Sequence, residues 1–377
     1  MKKKILIISS NSSSRGGGER YLVYLTRGFL KLNYEVSILL SNYQFMDNWS
    51  KMFLNEGATI IRKKLRPLSS RKFRFISSTL DYKQISLVKK TCKEVKPDFI
   101  IVNQQYDEDG LDYLKGALSY SNLKTISVMH MPMTANKNKR PFGIFRGLFL
   151  RSWYYFNKVK LVFVSEGAKT EFIKYYKLNG KYYVVNNGFP ILNQNFSNNK
   201  PNIFQNSFPT IAFIGQLNKQ KNLDLLVDSW LQLNNNGDFN LLLIGDGPSK
   251  NDLVQKLNLT NYHDKYFFIE WTDEPEKYYS QIDVFVMTSL FEGLPLTLIE
   301  IAGNGIPCVV TPFNGSVDVS SHAYWVKVSK NYSSEEISKL IQSVLLIKKI
   351  KEEDIQKFKN YFSIERACNE MIQIFQE

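Results

Sequence analysis

Cysteine is scarce: Cys92, Cys308 and Cys368 are the three among 377 residues. They lie far apart and show no Cys-x-x-Cys or His/Cys spacing, so neither a disulfide framework nor a zinc site is expected, and a reducing cytoplasm is the default compartment. Long apolar runs are missing too. No stretch approaches the roughly 20 uninterrupted apolar residues of a membrane-spanning helix. The run after Met1-Lys2-Lys3-Lys4 ends at Ile8, too short for the core of a signal peptide. Acidic residues are few in the first half: residues 1–200 hold 34 Lys+Arg against 13 Asp+Glu, and the remainder hold 15 against 22, within a net charge of +14. The two halves therefore face different electrostatic partners.

What is present is an ordinary folded composition, 44% hydrophobic and 22% charged, which excludes a disordered chain. The length suits two or three domains. Apolar runs at Ile5–Ile8, Val36–Leu40, Thr59–Ile61, Phe99–Val102, Thr125–Met129, Leu161–Val164 and Tyr182–Val185 are separated by segments long enough for helices, such as Tyr21–Leu32. The pattern restarts with Ile211–Ile214, Leu241–Ile244, Phe267–Ile269, Val284–Met287 and Cys308–Val310, with helices near Leu223–Leu233, Lys250–Leu257 and Leu296–Gly303. Such repetition predicts an α/β protein with two doubly wound, Rossmann-like domains and a ligand crevice at strand C-termini. We place the first domain at 1–188, an Asn-, Ser- and Pro-rich linker at 189–208, the second domain at 209–358, and a C-terminal helix at 359–377 able to pack back on the first domain.

Four segments stand at strand-to-helix junctions, where glycine admits a ligand and free N–H groups attract anions. Gly16-Gly17-Gly18 follows the first strand through Asn11–Arg15; a flexible turn is its other reading. Gly215-Gln216-Leu217-Asn218-Lys219-Gln220-Lys221 precedes the Leu223 helix, and two lysines at a helix N-terminus oppose its dipole unless an anion offsets them. Otherwise they are solvated surface lysines. Glu292-Gly293-Leu294-Pro295-Leu296 and Glu300 put two carboxylates near one helix start, suited to accept from paired sugar hydroxyls. By itself Glu300 reads as well as a capping or salt-bridged acid. Gly245-Asp246-Gly247-Pro248 is a tight turn after a strand.

In their order and spacing these segments resemble the retaining glycosyltransferases of family 4 (glycosyltransferases group 1), with the GT-B fold of two Rossmann-like domains facing across a cleft. The resemblance covers nearly the whole chain and is densest over Ile211–Thr311. It implies a hexosyltransferase that moves a sugar from a nucleoside diphosphate donor, guessed to be a UDP-sugar, without a metal or other cofactor. Lys221 would meet the diphosphate and Glu300 the ribose hydroxyls. Glu292 and the backbone of Gly293, Leu294, Pro295 and Leu296 would contact the donor sugar and phosphates. Gly17 and Gly18 match the family's N-terminal glycine loop, and His130 a histidine beside the transferred sugar, although a lone histidine after a strand otherwise reads as core. Lys221, Glu292 and His130 are thus the expected catalytic residues. Gln216 stands where the family usually has Arg, removing one cation from the leaving diphosphate; Lys219 or Arg20 is a candidate to compensate.

Asp107-Glu108-Asp109 spells the Asp-x-Asp of metal-dependent transferases, but in the half without the other donor motifs it is expected to be a solvated acidic loop. Arg62, Lys63, Lys64, Arg66, Arg71, Lys72 and Arg74 crowd together, and Ile144–Phe156 mixes aromatics with Arg146 and Arg151. These patches suit an anionic membrane surface better than nucleic acid, with Arg146 and Arg151 reaching headgroups and core packing of the aromatics as the other reading. For a transferase this implies a glycan acceptor on a lipid diphosphate, in cytoplasmic, peripheral assembly of capsule, O-antigen or similar polysaccharide. The alternatives are a sugar-nucleotide 2-epimerase of the same architecture and a basic nucleic-acid-binding protein; the latter leaves Glu292 and Glu300 without a purpose.

Overall fold

A computed structural model describes residues 2–9, 16–66, 78–132, 142–191 and 203–377. Asn11–Arg15, Arg71, Lys72, Arg74 and most of the expected linker lie outside the described residues. The chain divides into two units, Met1–Pro190 with Phe362–Glu377, and Ile191–Tyr361.

In unit 1, short Ile-, Leu- and Val-rich runs form the strands of a parallel sheet, mostly buried in its five inner strands and only partly so in the two edge strands, because a sheet covered on both faces needs apolar side chains on both. The strands are β1 (Lys4–Ser9), β2 (Glu35–Ser41), β3 (Thr59–Lys63), β4 (Phe99–Gln104), β5 (Thr125–Met129), β6 (Lys160–Phe163) and β7 (Tyr182–Val184), in the order β3-β2-β1-β4-β5-β6-β7. All neighbours pair in parallel. Between them run α1 (Gly17–Lys31), α2 (Asp47–Glu56), α3 (Tyr82–Val95), α4 (Leu111–Leu118), α5 (Gly143–Asn157) and α6 (Glu166–Tyr176). Asp81 and Ser165 cap α3 and α6 by accepting from Gln84 N and Ala168 N. The strand order reverses between β1 and β4, which opens the binding crevice of a doubly wound sheet just beyond their C-termini.

Unit 2 repeats the plan. Its parallel strands β8 (Thr210–Ile214), β9 (Asn240–Ile244), β10 (Tyr266–Ile269), β11 (Val284–Met287), β12 (Cys308–Val310) and β13 (Val326–Val328) lie in the order β10-β9-β8-β11-β12-β13. The helices are α7 (Leu223–Asn234), α8 (Lys250–Asn258), α9 (Leu296–Gly303), α10 (Ser316–Ser320), α11 (Ser334–Leu345) and α12 (Glu352–Tyr361). Trp230, Phe213, Leu243 and Ile341 are among the fully buried centre. Here the reversal falls between β8 and β11. A final helix, α13 (Ile364–Gln376), belongs to unit 1: Phe375 stacks on Phe99 at 4.5 Å, and Ile364 N donates to Phe189 O at 3.1 Å.

Three sequence expectations need correction. The Asp107–Asp109 segment is buried, not a solvated loop. Tyr176 Oη bonds Asp107, Gln104 Nε2 donates to Asp109 O, and the Arg146 guanidinium grips Glu108 through two bonds, Nε to Oε1 at 2.9 Å. Arg146 therefore faces the interior and does not reach outward as expected, since an acidic triplet taken out of water needs a paired cation. In the described part of the first basic run, Lys64 is exposed and three cations have carboxylate partners. Arg62 meets Asp47 at 3.0 Å, Lys63 meets Glu94 at 3.4 Å and Arg66 meets Asp81 at 3.2 Å. Finally, Lys219 and Lys221 do not sit on the N-terminus of α7. They form their own 3-10 turn, Lys219–Lys221, which Asn218 caps by accepting from Lys221 N.

Candidate active site

The loops that leave the C-termini of β8, β9 and β11 build the site in unit 2. After β8 the chain turns at Gly215, and after β9 at Gly245, whose φ of 141° is a glycine conformation. A Cβ on Gly245 would overlap the Gly215 carbonyl oxygen, so these backbones can approach only without one. They are then joined by Leu217 N to Asp246 O and Ser249 N to Leu217 O, both 2.9 Å. The Gly-Gln-Leu and Gly-Asp-Gly-Pro segments are one layer of backbone.

Residues 288–292 after β11 are stitched to the Lys219–Lys221 turn. Leu290 N donates to Gln220 O at 2.8 Å, Gln220 Nε2 to Phe291 O at 2.8 Å, and Thr288 Oγ1 to the carbonyls of Lys221 and Asn222 at 3.0 Å each. On this frame Lys221 Nζ meets Glu292 Oε1 at 2.6 Å, with side chains only 15% and 10% exposed. Lys221 is thus a fixed, largely desolvated cation, not a solvated one, while Lys219 is exposed. Gln216 Oε1 accepts from Asn218 Nδ2 at 3.1 Å, close to the same turn.

Gly293 and Leu294 are buried, Pro295 stands as the N-cap of α9, and Leu296 opens it. The loop is backed by Gly315: a Cβ there would collide with Gly293 O and lie 2.9 Å from the Leu294 Cα. Tyr332 Oη adds bonds to Leu290 O at 3.3 Å and Pro312 O at 3.1 Å. Glu300 is buried on α9, just over one turn beyond its start. Lys221 and Glu292 are in contact, and Glu300 follows on the helix that their loop enters.

In unit 1, Gly17 and Gly18 form the first residues of α1 beyond β1, where a Cβ on Gly18 would lie 3.3 Å from Gln105 Oε1. Arg20 Nε donates to Tyr24 Oη at 2.8 Å. His130 follows β5, buried, with its Nε2 2.8 Å from Asn103 Oδ1 and its ring edge-on to Tyr21 at 4.7 Å between centroids. A carbonyl oxygen only accepts, so Nε2 carries the proton and Nδ1 is left as an acceptor. Burial pushes the imidazole down to about 4, which keeps it neutral at ordinary pH. Asn103 and Tyr21 escaped the sequence reading. The only trace of Asn103 is a polar pair, Asn103-Gln104, ending an apolar strand.

Comparison with known proteins identifies the family of each half. Residues 15–191 match the family described as Glycosyltransferase Family 4, and residues 194–361 match glycosyl transferases group 1. The O-antigen biosynthesis glycosyltransferase WclY of Escherichia coli is 35% identical over 95 residues, covering 25% of this chain and 26% of its own. A UDP-Gal:alpha-D-GlcNAc-diphosphoundecaprenol alpha-1,3-galactosyltransferase of Escherichia coli is 30% identical over 116 residues, 30% of each chain. An uncharacterized glycosyltransferase of Haemophilus influenzae is 27% identical over 325 residues, 84% of this chain and 82% of its own. The matches to WclY and the galactosyltransferase thus span between a quarter and a third of those relatives. Among solved structures, HepE of Anabaena in complex with UDP and glucose superposes with a TM-score of 0.74 at 14% identity, over 99% of each chain. With the two family matches falling on its two units and the parallel sheets of both in place, the chain belongs to the GT-B glycosyltransferases, family 4 in its first half and group 1 in its second.

Proposed function

We propose that the protein transfers a hexosyl group, with retention at the anomeric carbon, from a nucleoside diphosphate sugar to a hydroxyl of a glycan carried on a lipid diphosphate. The setting would be cell-surface polysaccharide assembly at the inner face of the plasma membrane. The observation that carries the donor part is the Lys221–Glu292 pair at 2.6 Å, held on a backbone frame beside the start of α9. A largely buried ammonium fixed by one carboxylate is poised for a more highly charged anion, and in a transfer it would face the negative charge growing on the departing diphosphate. The N–H groups of Gly293 to Leu296 would add dipoles to the same anion. Glu292 would orient Lys221 and contact the sugar, and Glu300 would accept from the ribose hydroxyls. In unit 1, His130 Nδ1 is the free acceptor for a sugar hydroxyl, and Gly17 and Gly18 leave room for the phosphates.

Uridine as the base rests on the named donor of the Escherichia coli galactosyltransferase, and a lipid-diphosphate acceptor on that same name. The O-antigen relative supports a polysaccharide product. Metal-free chemistry fits the state of the Asp107–Asp109 segment, which is buried, with the Asp107 carboxylate engaged by Tyr176 and that of Glu108 by Arg146. The test is nucleoside diphosphate release from a panel of donors, with and without a membrane extract as acceptor. Release that depends on acceptor, survives chelator and falls about 100- to 1,000-fold in Lys221→Ala is expected, the loss usual for a transition-state donor group. Donor consumption with no acceptor requirement would contradict transfer and favour epimerisation.

A further inference from the structure

The outer face of α5 is the least expected surface of the described residues. At 100° per residue its buried side chains, Arg146, Leu150, Trp153 and Tyr154, share one side. That side is locked down by the Arg146–Glu108 pair and by Tyr154 Oη donating to Asp107 O at 2.7 Å. The opposite side should carry polar groups. Instead Ile144, Phe145, Leu148, Tyr155 and Phe156 cover a sector of about 120° and are each 54% to 78% exposed. Phe142, next to the helix start, is exposed as well. Apart from the exposed Ser152 within it, this face is apolar, and a face of this kind marks an interaction site.

We propose that α5 is an interfacial anchor: it lies in the plane of a lipid bilayer with Ile144, Phe145, Leu148, Tyr155 and Phe156 inserted at the headgroup boundary. Charge selects the occupant. The helix has no Asp or Glu, and the cations next to its apolar sector, Arg151 at one edge and Lys158 at the C-cap, are exposed. A two-fold contact with a second copy would bring these cations face to face, whereas phosphate headgroups complement them. Aromatic bodies with basic side chains at the edge are what an in-plane helix needs. Because Arg62, Lys63 and Arg66 are already paired with carboxylates, insertion supplies most of the attachment and attraction to anionic lipid the smaller share. The purpose of this anchor rests on the lipid-linked acceptor proposed above; its existence does not.

The test is flotation of the full chain with vesicles of phosphatidylcholine alone and of phosphatidylcholine with phosphatidylglycerol. The native protein should float with both, and Phe145→Ser/Leu148→Ser/Phe156→Ser should bind about tenfold more weakly or worse to either. Since those side chains are exposed, the variant should keep its melting temperature and its donor-induced thermal shift. Native protein that stays unbound to both vesicles, or a variant that floats as well as the native chain, overturns the proposal. So does a native dimer in light scattering that the triple substitution converts to monomer. Loss of flotation with donor binding intact confirms the anchor, and flotation without any donor binding leaves the anchor standing while refuting glycosyl transfer.

Discussion

Lys221 and Glu292 define the residue scale, since each leaves the other as an unpaired, largely buried charge when removed. Breaking such a pair typically costs about 3–5 kcal/mol, discounted here because both side chains retain some contact with water. Glu292→Gln should therefore lower the melting temperature of the unliganded protein, and a bound nucleoside diphosphate should restore part of that loss by taking Glu292's place beside the ammonium. A scan with and without nucleotide checks both. His130 gives a pH prediction. Its folded-state value of about 4 lies below the ordinary 6.5, so the unfolded chain binds its proton first on acidification. The stability tied to the neutral ring is complete above pH 6.5 and is lost as pH falls towards 4, by about 3 kcal/mol in all. Denaturant titrations between pH 7 and 4 should show that slope, and His130→Gln should flatten it. With the ring neutral throughout, the activity profile should show no His130 inflection near pH 6.5.

Loops at strand C-termini, more than the strands, set what unit 2 can hold. Gly315 supports the Glu292–Leu296 segment from behind, and Gly315→Val would drive a side chain into Gly293 O and Leu294. Donor affinity should fall at least about tenfold while the circular dichroism of the sheet and helices persists, a split that titration calorimetry reads directly. These elements were unevenly legible in the chain. Parallel strands such as Phe99–Gln104 and Val284–Met287 announce themselves as buried apolar runs. By contrast β13 is three residues with Lys327 at its centre, which no run of apolar side chains marks. Helix α1 starts at Gly17, four residues before its apolar periodicity begins at Tyr21. The burial of Asp107–Asp109 and the pairing of Lys221 with Glu292 depend on partners 38 to 71 residues away, a distance over which composition and spacing carry no signal. Motif order, however, pointed to Lys221, Glu292 and the α9 entrance together.

At the scale of the molecule, the two halves differ in charge and in the candidate residues they carry: the acidic second half holds Lys221, Glu292 and Glu300, and the basic first half holds His130 and the exposed face of α5. The central claim is that a nucleoside diphosphate sugar binds unit 2 through Lys221. A ligand that binds only the folded state stabilises it by about 2.7 kcal/mol at a hundred times its Kd, which moves the melting point by several degrees. Thermal unfolding of the native chain and of Lys221→Ala across a panel of nucleotide sugars is the most direct measurement. At least one donor should raise the native melting temperature with concentration and leave Lys221→Ala unmoved; an equal shift in both proteins, or none with any donor, would contradict the account.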